Sequence, residues 1–365
     1  MKITFVSPPL NMTGGSRVIA IYAKYLQKFG HEVMVVSPAR AAQGRLSGLL
    51  WRLGLPQPAA RDQGTSHLDG QGIAQRVLKT CRAVTARDVP DADVIIATWW
   101  ATAEWVAAMP PSKGSQVYFV QHHEVFDYLP KARVAATYRM GMKMIVVAKW
   151  LVEAIAPGDT SGTITVVPNA IDRSVFCAPE RAKQPRPTIG TLFSETEFKG
   201  FDITLRVLAE VRKSIPDLRV VSFGQSQPKK YRDQLAGIEL AIDPSQTDLR
   251  DTYAHCDVWL SCSRTEGFNL TAMEAMGCRT PVVSTRTGWP EEAVRSGVNG
   301  ALAEVDDVAA LAREVVTILQ MAPAPWKQLS DGALATVADS GWEASARMFE
   351  AALPRPAAAG PHGKR

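Results

Sequence analysis

No part of the chain approaches the roughly 18 consecutive apolar residues needed to span a bilayer, and the segment after Met1 lacks the layout of a secretory signal. Both absences point to a cytoplasmic protein. Cysteine is scarce: Cys81, Cys177, Cys256, Cys262 and Cys278 are odd in number, form no CxxC pair and have no His at zinc spacing. That excludes a disulfide framework or zinc module and suggests reduced, buried thiols. A strong charge of either sign is also missing. With 41 Lys and Arg against 36 Asp and Glu, the formal net charge is +5, which makes no case for nucleic-acid binding but can aid an anionic ligand or a membrane surface. What the sequence does have is length and apolar content: 365 residues, 46% hydrophobic, suffice for two domains with separate cores.

The informative stretch is Ser263–Gly288. Before it, Asp257–Leu260 is short and apolar, as a buried parallel strand would be. Gly267 then permits a tight turn, and Asn269 suits the N-cap of a helix carrying Leu270, Ala272, Met273, Ala275 and Met276, stopped by Gly277. The unsatisfied N–H groups of Asn269, Leu270 and Thr271, together with the helix dipole, form a site for a phosphate, and Thr271 adds a hydroxyl. Glu266 lies on the loop and Glu274 eight positions later, inside the apolar helix. A carboxylate repels a phosphate, so these two acids better suit hydroxyl groups at opposite ends of a ligand whose middle is the phosphate. A nucleotide sugar has that form. The competing view, a surface helix with two solvated acids, fits poorly with the apolar surroundings.

Along the chain, Lys2–Ser7 predicts a strand, Pro8–Gly15 a loop running into Thr13-Gly14-Gly15-Ser16, Arg17–Phe29 a helix and His31–Ser37 a second strand. The loop is not GxGxxG, and Ser37-Pro38 stands where a dinucleotide fold has its ribose-binding acid, which weakens an oxidoreductase reading. Gly15 and Ser16 are candidates for close backbone approach to a ligand; a plain turn glycine is the alternative. Residues 40–55 mix Arg40, Arg45 and Arg52 with Leu46, Leu49, Leu50, Trp51, Leu53 and Leu55, a pattern that can lie on an anionic membrane surface or cap its own domain. A helix is expected near Ile73–Ala86, then strands at Ala92–Thr98 and Gln116–Val120. The second of these ends in Gln121-His122-His123-Glu124, where a histidine can reach a ligand at the carboxyl ends of the strands. A metal fits less well, since only Glu124 and Asp127 are near.

Strands follow at Met144–Val147 and Ile164–Val167, and Pro168-Asn169-Ala170-Ile171-Asp172 marks a boundary between domains 1–170 and 171–341. Residues 177–187 suggest a linker. Thr188–Phe193 opens a second strand–helix array, in which Lys199, on a glycine turn before the helix Asp202–Ser214, is placed to neutralise a diphosphate. Leu218–Phe223 and Val282–Ser284 predict strands, Asp248–His255 and Asp306–Gln320 helices, and Gly288–Glu292 a loop. Trp342–Leu353 is an amphipathic helix, and residues 354–365 are too poor in large apolar groups to fold alone.

The run Glu266-Gly267-Phe268-Asn269-Leu270-Thr271-Ala272-Met273-Glu274, followed by Pro281-Val282-Val283, resembles the E-x7-E signature of family 4 retaining glycosyltransferases. That resemblance implies the GT-B fold: two facing Rossmann-like, doubly wound parallel-sheet α/β domains, the active site in the cleft between them, and a C-terminal helix (342–353) crossing back to the first. It also implies transfer of a sugar from a nucleotide-diphosphate sugar donor to a glycan, lipid-linked or small-molecule acceptor, with retention and without a metal or other cofactor. Glu266 would contact the donor sugar, Glu274 the ribose, and Lys199 the diphosphate. His122 would lie near the donor sugar, and a glycine loop at Gly15 and Ser16 near the diphosphate and acceptor. Pro168–Asp172 resembles the family's hinge, with Ala170 in place of Gly. The sequence departs from the family at Thr191, where relatives carry an Arg for the diphosphate; Arg17, Arg264 or Arg286 substitutes, or the site uses more neutral donors. Two other classes stay open, a sugar-nucleotide epimerase or phosphorylase of the same fold and a non-catalytic sugar-nucleotide-binding protein.

Overall fold

Runs such as ITFV, VIIA and VWLS are apolar on both faces, which is the mark of a strand covered by helices on either side. They form two parallel sheets. The computed structural model describes residues 1–42, 55–158 and 162–355. By its internal contacts the chain divides into two units, one running from Met1 to Pro168 with the segment from Glu343 onward, the other from Asn169 to Trp342.

In the first unit, β1 (Lys2–Val6), β2 (Glu32–Ser37), β4 (Ala74–Val77), β6 (Val94–Ala97), β7 (Ser115–Val120), β8 (Lys143–Val146) and β9 (Ile164–Val166) form a seven-stranded sheet in the order β4-β2-β1-β6-β7-β8-β9. Short strands β3 (Gln57–Pro58) and β5 (Thr80–Cys81) pair antiparallel beside it. The helix expected near Ile73–Ala86 is therefore replaced by strands. β4 pairs parallel with β2 from Met34↔Ala74 to Ser37↔Val77, and all four of its residues are exposed. An edge strand with no buried face leaves no period-two pattern in the sequence. The glycine loop is corrected too: the first helix begins at Gly14 and runs to Lys28, so Gly14, Gly15 and Ser16 form its first turn.

In the second unit, β10 (Thr188–Leu192), β11 (Arg219–Gly224), β12 (Glu239–Ile242), β13 (Val258–Ser261), β14 (Val282–Thr285) and β15 (Gly300–Ala303) form a sheet in the order β12-β11-β10-β13-β14-β15. Counted within the unit this is 3-2-1-4-5-6, the doubly wound nucleotide-binding order. The loop expected at Gly288–Glu292 contains a short helix, Trp289–Ala293, with Pro290 supplying its fixed φ in the first turn. A helix at Pro323–Thr336 was not expected from the sequence; Trp326 on it is fully buried and its indole N–H donates to the Asp257 carbonyl at 3.0 Å. The segment read as a linker is anchored as well. Arg181 donates to the Cys256 carbonyl and the Thr280 hydroxyl and stacks over Trp326, while Lys183 donates to the carbonyls of Leu319 and Met321. Four cysteines are buried, but Cys177 is exposed.

The helix Trp342–Ala352 packs on the first unit. Phe349, fully buried, stacks on Tyr22 with ring centroids 4.4 Å apart and meets Phe119 edge-on at 5.1 Å. At the helix surface Lys28 pairs with Glu343 and His31 with Glu350. Among the described residues no helix is long and apolar enough to cross a membrane. Most of the basic and apolar segment 40–55 lies outside the described residues; within them Arg40 donates to the carbonyls of Leu10 and Thr65.

Phe349→Ala removes an aromatic ring from this junction and is expected to destabilise the first unit by about 3–5 kcal/mol. Chemical denaturation followed by tryptophan fluorescence measures it; a loss below about 1 kcal/mol would mean that the helix is not part of that core.

Candidate functional site

In the second unit the order of the strands reverses between β10 and β13, the place where open α/β sheets bind ligands at the carboxyl ends of their strands. The loops that follow these two strands lock together there. Arg264, after β13, donates its N–H to the Phe198 carbonyl at 2.8 Å. Its guanidinium forks onto Asp202 at 2.9 and 2.7 Å and reaches Asp306 at 2.9 Å. Gly200 has φ +64°, and a Cβ there would strike the Cys262 carbonyl, so glycine is what allows the loops to meet.

Lys199 closes a single 3-10 turn, Glu197–Lys199, immediately before Gly200. Its ammonium contacts both carboxylate oxygens of Glu266, at 2.9 and 2.8 Å, and Ser263 donates its hydroxyl to Oε1 of the same carboxylate at 2.7 Å. Glu266 is 5% exposed, and in that setting a cation and a hydroxyl stand in for the water that a carboxylate needs. On its other side sits Gly288, φ +64°, where an added Cβ would come within 2.8 Å of Glu266 Cβ and of the Phe268 carbonyl oxygen. The ring of Phe268 stacks on Trp289 at 5.8 Å.

Gly267 and Phe268 carry the chain to Asn269, which adopts the left-handed conformation at φ 82°, ψ 66° and caps the helix Leu270–Gly277. The Asn269 side chain accepts from the Ala272 N–H and the Thr271 hydroxyl and donates to Ser261 Oγ at 2.9 Å, fastening the helix start to the end of β13. The N–H groups of Leu270 and Thr271 precede any intrahelical acceptor and bring the positive end of the helix to the same edge of the sheet. Glu274 lies one turn further in, 3% exposed, and accepts from the Tyr253 hydroxyl at 2.9 Å. Tyr253 gave no sign in the sequence: it is fully buried between Phe176, Phe223 and Trp259, on a different helix.

The second unit thus brings together Lys199, Glu266, Gly267, Phe268, Asn269, Leu270 and Thr271, with Glu274 behind them. The other candidates are in the first unit. Gly15 faces Gln121, whose side-chain amide lies 3.4 Å from the Gly15 carbonyl, and His122 follows on the same loop, packed between Phe126 at 4.9 Å and Trp150 at 6.4 Å. Ser16 is buried and its hydroxyl donates to Asn11, which also gathers Thr13, so this side chain shapes the turn. Beside them Glu124 is 8% exposed and accepts the Trp100 N–H at the start of the helix Trp100–Ala107. Burial raises its carboxyl to about 8, so it holds a proton at neutral pH. Burial lowers His123.

As for the Arg missing at position 191, Thr191 is buried inside β10, Arg264 spends its donors on Asp202 and Asp306, and Arg286 pairs with Glu304 at 2.8 Å. Among the described residues no group of three or more His, Cys, Asp or Glu is arranged to hold a metal ion.

A family model described as Glycosyltransferase Family 4 matches residues 12–175, and one described as Glycosyl transferases group 1 matches residues 187–321, so that most of the chain is covered. The chain belongs to glycosyltransferase family 4. Among its relatives is the D-inositol 3-phosphate glycosyltransferase 1 of Catenulispora acidiphila, 36% identical over 160 residues, covering 40% of this chain and 38% of that protein. Another is the lipopolysaccharide core biosynthesis mannosyltransferase LpcC of Rhizobium leguminosarum bv. viciae, 27% identical over 46% of this chain and 55% of that one. The chain spans about two fifths of the length of the inositol 3-phosphate relatives it matches. Among solved structures, Anabaena Alr3699/HepE in complex with UDP and glucose superposes with a TM-score of 0.73 at 16% identity, covering 96% of this chain and 98% of that one. The sucrose-phosphate synthase (tll1590) of Thermosynechococcus elongatus gives 0.71 at 15% identity, over 96% and 98%. The fold of this family 4 chain is accordingly GT-B.

The proton on Glu124 has a consequence for stability. Its carboxyl rises from an ordinary 4.5 to about 8 on folding, so between those values the folded chain holds a proton that the unfolded chain has released, and stability falls as pH rises. Glu124→Gln is expected to remove that slope, up to about 1.4 kcal/mol per pH unit, in urea melts of both proteins from pH 5 to 8. Parallel profiles would show that Glu124 is ionised in the folded state.

Proposed function

We propose that this chain is a retaining glycosyltransferase that moves a sugar from a nucleotide-diphosphate sugar to a hydroxyl of a glycan, lipid-linked or small-molecule acceptor, without a metal. The observation that carries this is the Lys199–Glu266 pair, set beside a helix N-terminus at the switch point of a nucleotide-binding sheet. A cation and two unsatisfied N–H groups suit a diphosphate, and a buried carboxylate suits the hydroxyls of the sugar attached to it. The Anabaena neighbour, solved in complex with UDP and glucose, supports a sugar–nucleotide ligand.

In this reading the second unit binds the donor. Leu270, Thr271 and Lys199 hold the diphosphate, Glu266 orients the sugar and Glu274 takes the ribose, with Tyr253 fixing its carboxylate. The first unit, through His122 and Gly15, serves the sugar and acceptor. The bond between the anomeric carbon and the diphosphate breaks, a bond to the acceptor oxygen forms on the same face, and the acceptor proton passes to the departing phosphate oxygen. Charge grows on the diphosphate as the bond breaks, so fixed dipoles and Lys199 stabilise the transition state more than the ground state.

Calorimetric titration with UDP, GDP, ADP and dTDP, with and without EDTA, tests this. One nucleoside diphosphate should bind with affinity unchanged by the chelator; binding by none of them would refute the reading. Against the one that binds, Glu274→Ala should lose about 1–3 kcal/mol, the value of charge-assisted hydrogen bonds to a ribose, and unchanged affinity would remove Glu274 from the site. Lys199→Ala should lower kcat by about 100-fold or more while weakening binding much less. Equal losses in both would mean that Lys199 only binds.

A further inference from the structure

We propose that Ser263 is a positioning residue of the donor site, whose hydroxyl keeps Glu266 aimed at the sugar when Lys199 turns to the diphosphate. The inference rests on the donor-site roles given above to Glu266 and Lys199.

A lysine ammonium has three N–H donors, and here it contacts both oxygens of Glu266. One donor is left over, and a diphosphate that takes more than one hydrogen bond from the ammonium draws on the two now spent on Glu266. Once it does, Glu266 loses much of its compensation, and a carboxylate that is 5% exposed cannot turn to water instead. The partner that does not have to move is Ser263, 2.7 Å from Oε1.

The two partners are built differently. Lys199 reaches Glu266 on a four-carbon stem from a single 3-10 turn, with a side chain 26% exposed. Ser263 is 3% exposed and lies just beyond β13; its carbonyl accepts the Thr285 hydroxyl at 2.5 Å from the end of β14, and that hydroxyl is 3.3 Å from Thr287 Oγ1. The serine is therefore fixed by two neighbouring strands of the sheet, whereas the lysine sits on a longer and more exposed stem. Because Ser263 occupies Oε1, the oxygen that Lys199 uncovers at 2.8 Å, Oε2, is left for a sugar hydroxyl. Lys199 is then the movable charge and Ser263 the fixed direction.

The test compares wild type, Ser263→Ala, Ser263→Thr, Glu266→Gln and the Ser263→Ala/Glu266→Gln double variant by calorimetric titration with UDP and UDP-glucose, and in parallel with GDP and GDP-mannose. The readout is how much tighter the sugar nucleotide binds than its nucleoside diphosphate, and melting temperatures confirm that each variant is folded. Ser263→Ala should leave the affinity for the diphosphate within about twofold and cut the gain from the sugar by about tenfold, the scale of one hydrogen bond to a charged group. Ser263→Thr, which keeps the hydroxyl, should retain the gain, and Ser263→Ala should add nothing to Glu266→Gln. An undiminished effect of Ser263→Ala in the Glu266→Gln background, equal losses for UDP and UDP-glucose, or a threonine variant no better than alanine would overturn the role. So would a wild type that gains nothing from either sugar. If wild type binds none of UDP, GDP, ADP and dTDP, the donor-site reading itself falls and the Ser263 role falls with it.

Discussion

The pairing of Lys199 with Glu266 sets the terms for the structure around it. A carboxylate with 5% exposure survives as an anion only where other groups replace its water, and nearly every unusual feature of the two loops serves that end. Gly200 lets the Lys199 turn approach the chain at Cys262, and Gly288 makes room for the Glu266 side chain. Arg264, clamped to Asp202 and Asp306, fixes the loop that carries Glu266 against the helix that follows Lys199. Ser263 and Thr285 tie the same carboxylate to the sheet. A buried ion pair is weak evidence for stability, since desolvation offsets most of its Coulomb energy. So much supporting structure around a pair of little net worth points to function.

How much of this could be read from the sequence depends on how local each feature is. The loop, cap and helix from Glu266 to Gly277 were legible because Gly267, Asn269 and the apolar spacing act within a dozen residues, and the α/β alternation was legible because parallel strands are continuous apolar runs. The pairing of Lys199 with Glu266 joins positions 67 apart, and Gly288 is a neighbour of Glu266 only because β14 lies beside β13. Tyr253 reaches Glu274 from another helix. Such contacts exist only once the sheet order is known. The edge strand Ala74–Val77, exposed on both faces, failed for the opposite reason: it has no burial to leave a pattern.

The departure at Thr191 shows how one substitution spreads. A guanidinium at that position would supply two parallel donors to a phosphate, and Thr191, buried in β10, supplies none there. Of the three candidates to replace it, Arg264 is committed to Asp202 and Asp306, Arg286 makes an exposed pair with Glu304, and Arg17 belongs to the first unit. In the proposed donor site Lys199 and the helix N-terminus are the groups assigned to the diphosphate. An ammonium is a compact point charge on a flexible stem, better able to change partners than a forked guanidinium. A site that relies on one lysine for both carboxylate and diphosphate needs another group to hold the carboxylate during the exchange.

The same sheet logic occurs twice in the chain, with different chemistry at each switch point. In the first unit the strands beside β1 also run 3-2-1-4, and the loops there hold Asn11 with Ser16 and the protonated Glu124 beside His122 and His123. The carboxyl group on that edge is neutral. In the second unit the equivalent edge presents an ammonium, the carboxylate paired with it and an open helix N-terminus. A charged diphosphate gains most at the second edge, while a neutral hydroxyl loses little at the first because it carries no charge to desolvate. The proposed division between donor and acceptor accords with the buried groups at the two edges, a neutral carboxyl at the first and an ion pair at the second.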